Sequence, residues 1–146
     1  MCIRDRNYTI RFQNTGNAPA TKVVVIDTLS PLVNPASLVV GASNFPYKYT
    51  LSGNGIITFT FDPIYLPDSA QSADSSIGFV NYSVNVRSGN PIGTQIKNTA
   101  SIYFDLNPAV VTNTTVSTIS LSTTGIRNIT AGDMSITVSP VSYTHL

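Results

Sequence analysis

The side chains able to do acid–base or metal chemistry in this 146-residue chain are few, and their surroundings argue against most reactions. Glutamate is absent, and beyond Asp5 the acids are Asp27, Asp62, Asp68, Asp74, Asp105 and Asp133. Glycoside hydrolysis needs two facing carboxyl groups with one pKa raised. These aspartates nearly all stand beside Pro, Ser, Thr or Asn, where turns and strand ends are expected and where Asp accepts hydrogen bonds from nearby backbone. Turn chemistry is the favoured reading, and a hydrolase would need two of the six to converge in one pocket. Asp105 with Asn107, near Asn113, could offer oxygen ligands to calcium, which takes about six to eight of them. The spacing fits no known calcium loop, and an Asx-turn before Asn107-Pro108 accounts for the same residues.

Lys22 near a strand start and Asn98 at an inward position invite comparison with the intramolecular Lys–Asn isopeptide bonds of some surface sandwiches. Such a bond needs a buried acid beside the pair, and only Asp27 could serve. The competing reading leaves Lys22 solvated and Asn98 bonded to backbone groups. Phe45, Tyr47, Tyr49 and Tyr65 could form a platform on which sugar rings stack. Tyr47 and Tyr49 share parity with Leu51, however, and tryptophan is absent, so core packing is favoured over a sugar site. Solvent exposure of Tyr47, Tyr49 and Tyr65 separates the two.

Cysteine and histidine would widen the chemistry, but Cys2 and His145 lie in terminal hexapeptides that share one DNA sequence. Back-translated with one codon choice, Met1 to Asp5 and the first two bases of Arg6 give atgtgtataagagacag, whose reverse complement, read from its third base, encodes Val141-Ser142-Tyr143-Thr144-His145. The string resembles a transposon-end sequencing adapter. Residues 1–6 and 141–146 are therefore read as scars foreign to the gene and set aside. Without Arg4, Arg6 and Asp5, the eight basic and seven acidic residues become six of each, and the formal net charge becomes zero. No basic surface is available to displace counterions from nucleic acid. With 10% charged and 42% hydrophobic residues, solubility falls to Thr, Ser and Asn, a balance suited to an extracellular β-protein.

The elements that must position these residues have a hydrophobic period of two. Tyr8, Ile10 and Phe12 alternate with Thr9, Arg11 and Gln13, as in a half-buried strand. Val23-Val24-Val25-Ile26 is apolar on both parities and reads as a central strand, though periodicity alone does not exclude a buried helix. Pro31 and Asn34-Pro35 are expected to break the chain before a short strand, Leu38-Val39-Val40. Tyr47 to Ser52 and Ile57 to Phe61 form a hairpin around Gly53-Asn54-Gly55, whose glycines can take positive φ. A polar loop from Asp62 to Ser76 precedes a long strand, Val80 to Val86. Ile96 to Phe104 is expected as one strand with Asn98 inward, and a last strand lies near Val110 to Val116. No amphipathic helix and no run of ~18 apolar residues appears. About seven strands separated by Gly, Pro and Asn turns describe an immunoglobulin-like sandwich, with a small barrel or jelly roll as the alternative.

Tyr8-Thr9-Ile10-Arg11-Phe12-Gln13-Asn14-Thr15-Gly16-Asn17-Ala18, followed by Val23 to Leu29, resembles the opening of the conserved repeat domain of bacterial surface proteins, the DUF-eleven family. Gly93 to Asp105 is similar to its closing strands, so the likeness covers roughly 7–118. It implies an immunoglobulin-like antiparallel β-sandwich with no assigned catalysis, whose usual first strand should precede Tyr8 and is expected to be missing, leaving an open sheet edge or an exposed core stripe. Gly132 to Pro140 resembles the first strand of the C-terminal sorting domain read by type IX secretion, which implies export. Asp27-Thr28-Leu29 and Asp68-Ser69-Ala70 resemble the O-glycosylation tripeptide of bacteria that use that route.

The expected organisation is a scar over 1–6, the sandwich over 7–118, a linker over 119–130, the start of a sorting domain over 131–140, and a scar over 141–146. The expected function is a non-catalytic spacer or adhesion-support module of an exported surface protein, with a carbohydrate-binding module accessory to a secreted enzyme as the runner-up. No catalytic, cofactor-binding or metal-binding residue is assigned and no cofactor is expected. The expected partners are neighbouring domains of the same polypeptide and cell-surface glycans or proteins, with no nucleic acid and no membrane insertion. The expected location is extracellular or at the outer-membrane surface.

Overall fold

The computed structural model describes residues 5–121, 134–136 and 141–145. Among these residues all regular structure is β: β1 (Asp5–Gln13), β2 (Val23–Thr28), β3 (Val33–Ser43), β4 (Lys48–Ser52), β5 (Ile56–Phe61), β6 (Ile77–Val86), β7 (Gln95–Asn98), β8 (Ala100–Phe104), β9 (Val110–Val111), β10 (Thr115–Leu121), β11 (Met134–Ile136) and β12 (Val141–His145). No helix among them is long and apolar enough to cross a membrane.

A sheet ordered β12-β1-β6-β3 faces one ordered β4-β5-β2-β8-β9, and a ribbon ordered β11-β10-β7 adjoins the second, since β7 runs into β8 at Thr99. The architecture is an immunoglobulin-like antiparallel β-sandwich. Alternation explains why the layers pack: β1 buries Tyr8, Ile10 and Phe12, and β6 buries Val80, Tyr82 and Val84 from the matching parity. The facing sheet contributes Val23, Val25, Phe59, Phe61, Ile102 and Phe104, all at 0–1% exposure. Each such side chain adds about 1.5–3 kcal/mol when removed from water. Rings interlock across the layers, with Phe12 edge-on to Phe61 at 5.2 Å and Phe59 against Tyr82 at 6.0 Å.

The central position of β2 agrees with its apolar run, since it is bonded to both β5 and β8. The β4–β5 hairpin forms as expected, with φ +56° at Gly53 and +120° at Gly55.

Three expectations change. Asn34-Pro35 does not break the chain before a short strand: β3 runs eleven residues through it. It survives because it is an edge strand bonded to β6 alone, where a proline's missing N–H costs no ladder bond. The register slips between Asn34 and Val39, and Ser37 Oγ accepts the Asn85 N–H at 2.8 Å in the gap. The strand expected over Ile96 to Phe104 is two strands, because β7 pairs with β10 while β8 pairs with β2 and β9. The last strand divides likewise into β9 and β10, and β10 runs through Leu121 with Ser117 and Ile119 buried.

The outer edge of β1 is not open, because β12 lies along it in parallel, Thr9 opposite Val141 and Gln13 opposite His145. Both hexapeptides set aside in the sequence reading thus contribute strand residues, Asp5 and Arg6 at one end and β12 at the other. Gly132 to Pro140 lies outside the described residues except for β11, which pairs with the end of β10.

Candidate functional site

Asp27 is the most chemically unusual residue described. It follows Val23 and Val25 on the inward parity of β2 and is fully buried, so its reading as a turn residue is corrected. The neighbours Thr28 and Leu29 suggested a strand end, but the side chain enters the core two residues on from Val25. Its Oδ2 accepts the Tyr82 hydroxyl at 2.7 Å and the Asn98 amide at 2.8 Å, and Asn98 also donates to the Tyr82 oxygen at 3.1 Å. Oδ1 has no partner. Burial pushes the carboxyl up to about 6, against the pull of the two hydrogen bonds. Burial also raises the Tyr82 hydroxyl, with the Asp27 charge adding to it. Asn98 is the inward polar residue the sequence pattern indicated, but it is held by side chains rather than by backbone groups.

Lys22 does not join this cluster. Its ammonium lies 3.6 Å from Asp62 on the surface, with both side chains about half exposed. Asp27 and Asn98 do meet as an isopeptide bond would require, and the amine is absent from the arrangement.

Asp105 has φ +50°, a conformation Asp tolerates better than most residues. Its Oδ1 accepts the Thr21 N–H, the Thr21 hydroxyl and the Lys22 N–H, each at 2.9 Å. Burial alone would raise this carboxyl, but the three bonds outweigh it and hold it below its ordinary value. The expected Asx-turn is therefore a longer-range latch, from the end of β8 to the start of β2. Asn107 makes a backbone turn bond to Phe104. Among the described residues no three His, Cys, Asp or Glu side chains cluster as metal ligands would.

Asp68 does cap a turn, accepting the Gln71 N–H at 2.9 Å. Asp133 lies outside the described residues.

The aromatic residues separate in a way parity did not predict. Tyr47 is half-buried, packs on Phe59 at 5.7 Å and donates to Gly41 O at 2.8 Å. Tyr49 is 49% exposed and Leu51 39%, although Tyr49 pairs with inward Phe59. Their parity does direct them to the core face, but β4 is an edge strand and the facing sheet leaves them uncovered. Tyr65 is 64% exposed and lines an open groove of about 530 Å³ with Phe45, Pro67 and Ile77.

Residues 4–118 match the family model described as Domain of unknown function (DUF7619). The chain belongs to this family. No curated protein matches it. The DUF7619 chain is similar to the crystal structure of BcpA, the major pilin subunit of Bacillus cereus, with a TM-score of 0.46 and 14% identity. The alignment covers 96% of this chain and 55% of that one, so the chain spans about half the length of that pilin subunit. In the DUF7619 domain, then, the groups best suited to chemistry are divided between a sealed core cluster and a surface latch.

Proposed function

We propose that this domain is a non-catalytic structural module of an exported bacterial surface protein, a stiff spacer or adhesion support between neighbouring domains of the same polypeptide. One observation carries the reading. The carboxyl most displaced toward neutral pH, Asp27, is sealed at 0% exposure and already engaged by Tyr82 and Asn98, so no substrate can reach it. A perturbed carboxyl in a cleft would suggest catalysis, whereas one in a closed core is a packing element.

Other features support the same reading. The opening motif Tyr8 to Ala18 and the closing segment Gly93 to Asp105 resemble the conserved repeat of bacterial surface proteins. The likeness of Gly132 to Pro140 to a type IX sorting strand favours export. The reading of residues 1–6 as foreign gains support from Arg6, which enters the core at 0% exposure with all three guanidinium nitrogens unpartnered. An unpaired buried cation is a poor fit to a position that alternates with Tyr8, Ile10 and Phe12.

Single-molecule pulling on the full chain between two handles tests the spacer role. One cooperative rupture releasing most of the chain is expected. Gradual extension without a rupture step, or turnover of a glycoside or ester that Asp27→Asn abolishes, would overturn the reading.

A further inference from the structure

We infer that the groove beside Tyr65 is a binding site for a neutral saccharide, a function independent of the structural role proposed above. The groove is preformed. Its wall is the loop between β5 and β6, pinned at both ends: Leu66 exchanges backbone bonds with Ala20, Ser69 N donates to Asn14 O at 2.8 Å, and Asn14 N donates to Ser76 O at 2.9 Å. Within the loop, Ser72 N returns to Asp68 O and Ser76 N to Ser72 O, both at 3.1 Å. On the opposite side Asn44 is fixed by Ile77 O at 2.8 Å and the Phe79 N–H at 2.9 Å. A ligand entering here would order little backbone, which removes one of the main costs of binding.

The lining chemistry selects the ligand class. Tyr65 offers an exposed ring and Phe45, Pro67 and Ile77 supply apolar surface, suited to the C–H faces of a pyranose ring. The Tyr65 hydroxyl, the Gln71 amide and the Asp74 carboxylate make no hydrogen bond within the described chain, so all remain available to sugar hydroxyls. A carboxylate accepting from hydroxyls makes the stronger, charge-assisted type of bond. No lysine or arginine lines the groove among the described residues, so nothing offsets the charge of a uronate or sulfate against Asp74. A neutral glycan is the occupant that satisfies ring, amide and carboxylate together.

The test is amide NMR titration of the full chain with cellohexaose, xylohexaose and mannohexaose, with polygalacturonate as the anionic comparison. At least one neutral oligosaccharide should shift the amides of residues 65–77 saturably. Tyr65→Ala and Asp74→Ala should each weaken that binding about tenfold or more. Tyr49→Ala, which removes an exposed ring outside the groove, should leave it unchanged. The proposal is overturned if no neutral hexasaccharide shifts these amides at millimolar concentration, if Tyr49→Ala weakens binding as much as Tyr65→Ala, or if polygalacturonate binds more tightly than every neutral sugar. Unchanged amide dispersion in the variants shows that lost binding is not lost folding.

Discussion

The Asn98 amide donates to the Asp27 carboxylate at 2.8 Å across 71 positions of sequence, joining β7 to β2 inside the core. Tyr82 completes the contact from the opposite sheet. Three strands thus share one polar junction in the interior.

That junction should make stability depend on pH. The folded Asp27 titrates near 6, above its ordinary value of 3.8. Between those values the folded chain holds a proton that the unfolded chain has released, so the Asp27 contribution to stability is greatest below about 4, falls as pH rises to about 6, and is flat above. The difference corresponds to about 3 kcal/mol. Urea unfolding from pH 4 to 7 should show this decline, and Asp27→Asn should flatten it. A wild-type midpoint that rises across the window would contradict the assignment.

Arg6→Met should stabilise the chain. The guanidinium is buried without a partner and burial works against its charged form, whereas methionine fills similar space with no charge to desolvate. A gain of about 1–4 kcal/mol in denaturant unfolding is expected. An unchanged or lower midpoint would mean that Arg6 has solvent or a partner when folded.

Gly78→Ala should destabilise. A methyl at Gly78 would collide with the ring of Phe12, which is itself packed against Phe61 and Phe104. Overpacking of this kind costs about 1–3 kcal/mol. Combining it with Phe12→Leu should recover part of the loss, and strict additivity of the two changes would count against the contact.

Asp105→Ala should loosen the link between β8 and β2 by removing an acceptor of three hydrogen bonds. Because the site is exposed, the loss should be modest, about 1–2 kcal/mol. Asp105 titrates below its ordinary value, so its contribution is present near neutral pH and lost as pH falls through the folded pKa. Hydrogen exchange at Thr21 and Lys22 reads it directly: both amides should exchange faster in Asp105→Ala than in Asp105→Asn. Equal exchange in the two variants would refute the latch.

The sequence was legible wherever local alternation and burial agree. Tyr8, Ile10 and Phe12 identified β1, the Val23 to Ile26 run identified a central strand, and Gly53 and Gly55 identified a turn needing positive φ. Asp27 was obscured because its neighbours look like a strand end, although its parity with Val23 and Val25 already marked it as inward. Inward parity continues unbroken through Ile96, Asn98, Ala100 and Ile102, which hid the change of partner at Thr99; pairing is a long-range property that period does not encode. Tyr49 and Leu51 were assigned the correct face and the wrong exposure, because alternation gives direction without saying whether a second sheet reaches that far. Asp105 pointed to a local turn, and its partners lie more than 80 positions away.

The burial of Ile119 has a practical consequence for anyone excising the domain. The family match stops at residue 118, yet Ile119 is 1% exposed, accepts the Gly93 N–H at 2.7 Å and donates to Thr94 O at 2.9 Å. A gene cut at 118 would remove a buried side chain from one end of the sandwich and free the turn that leads into β7. An expression unit carried through Leu121 keeps that side chain in place.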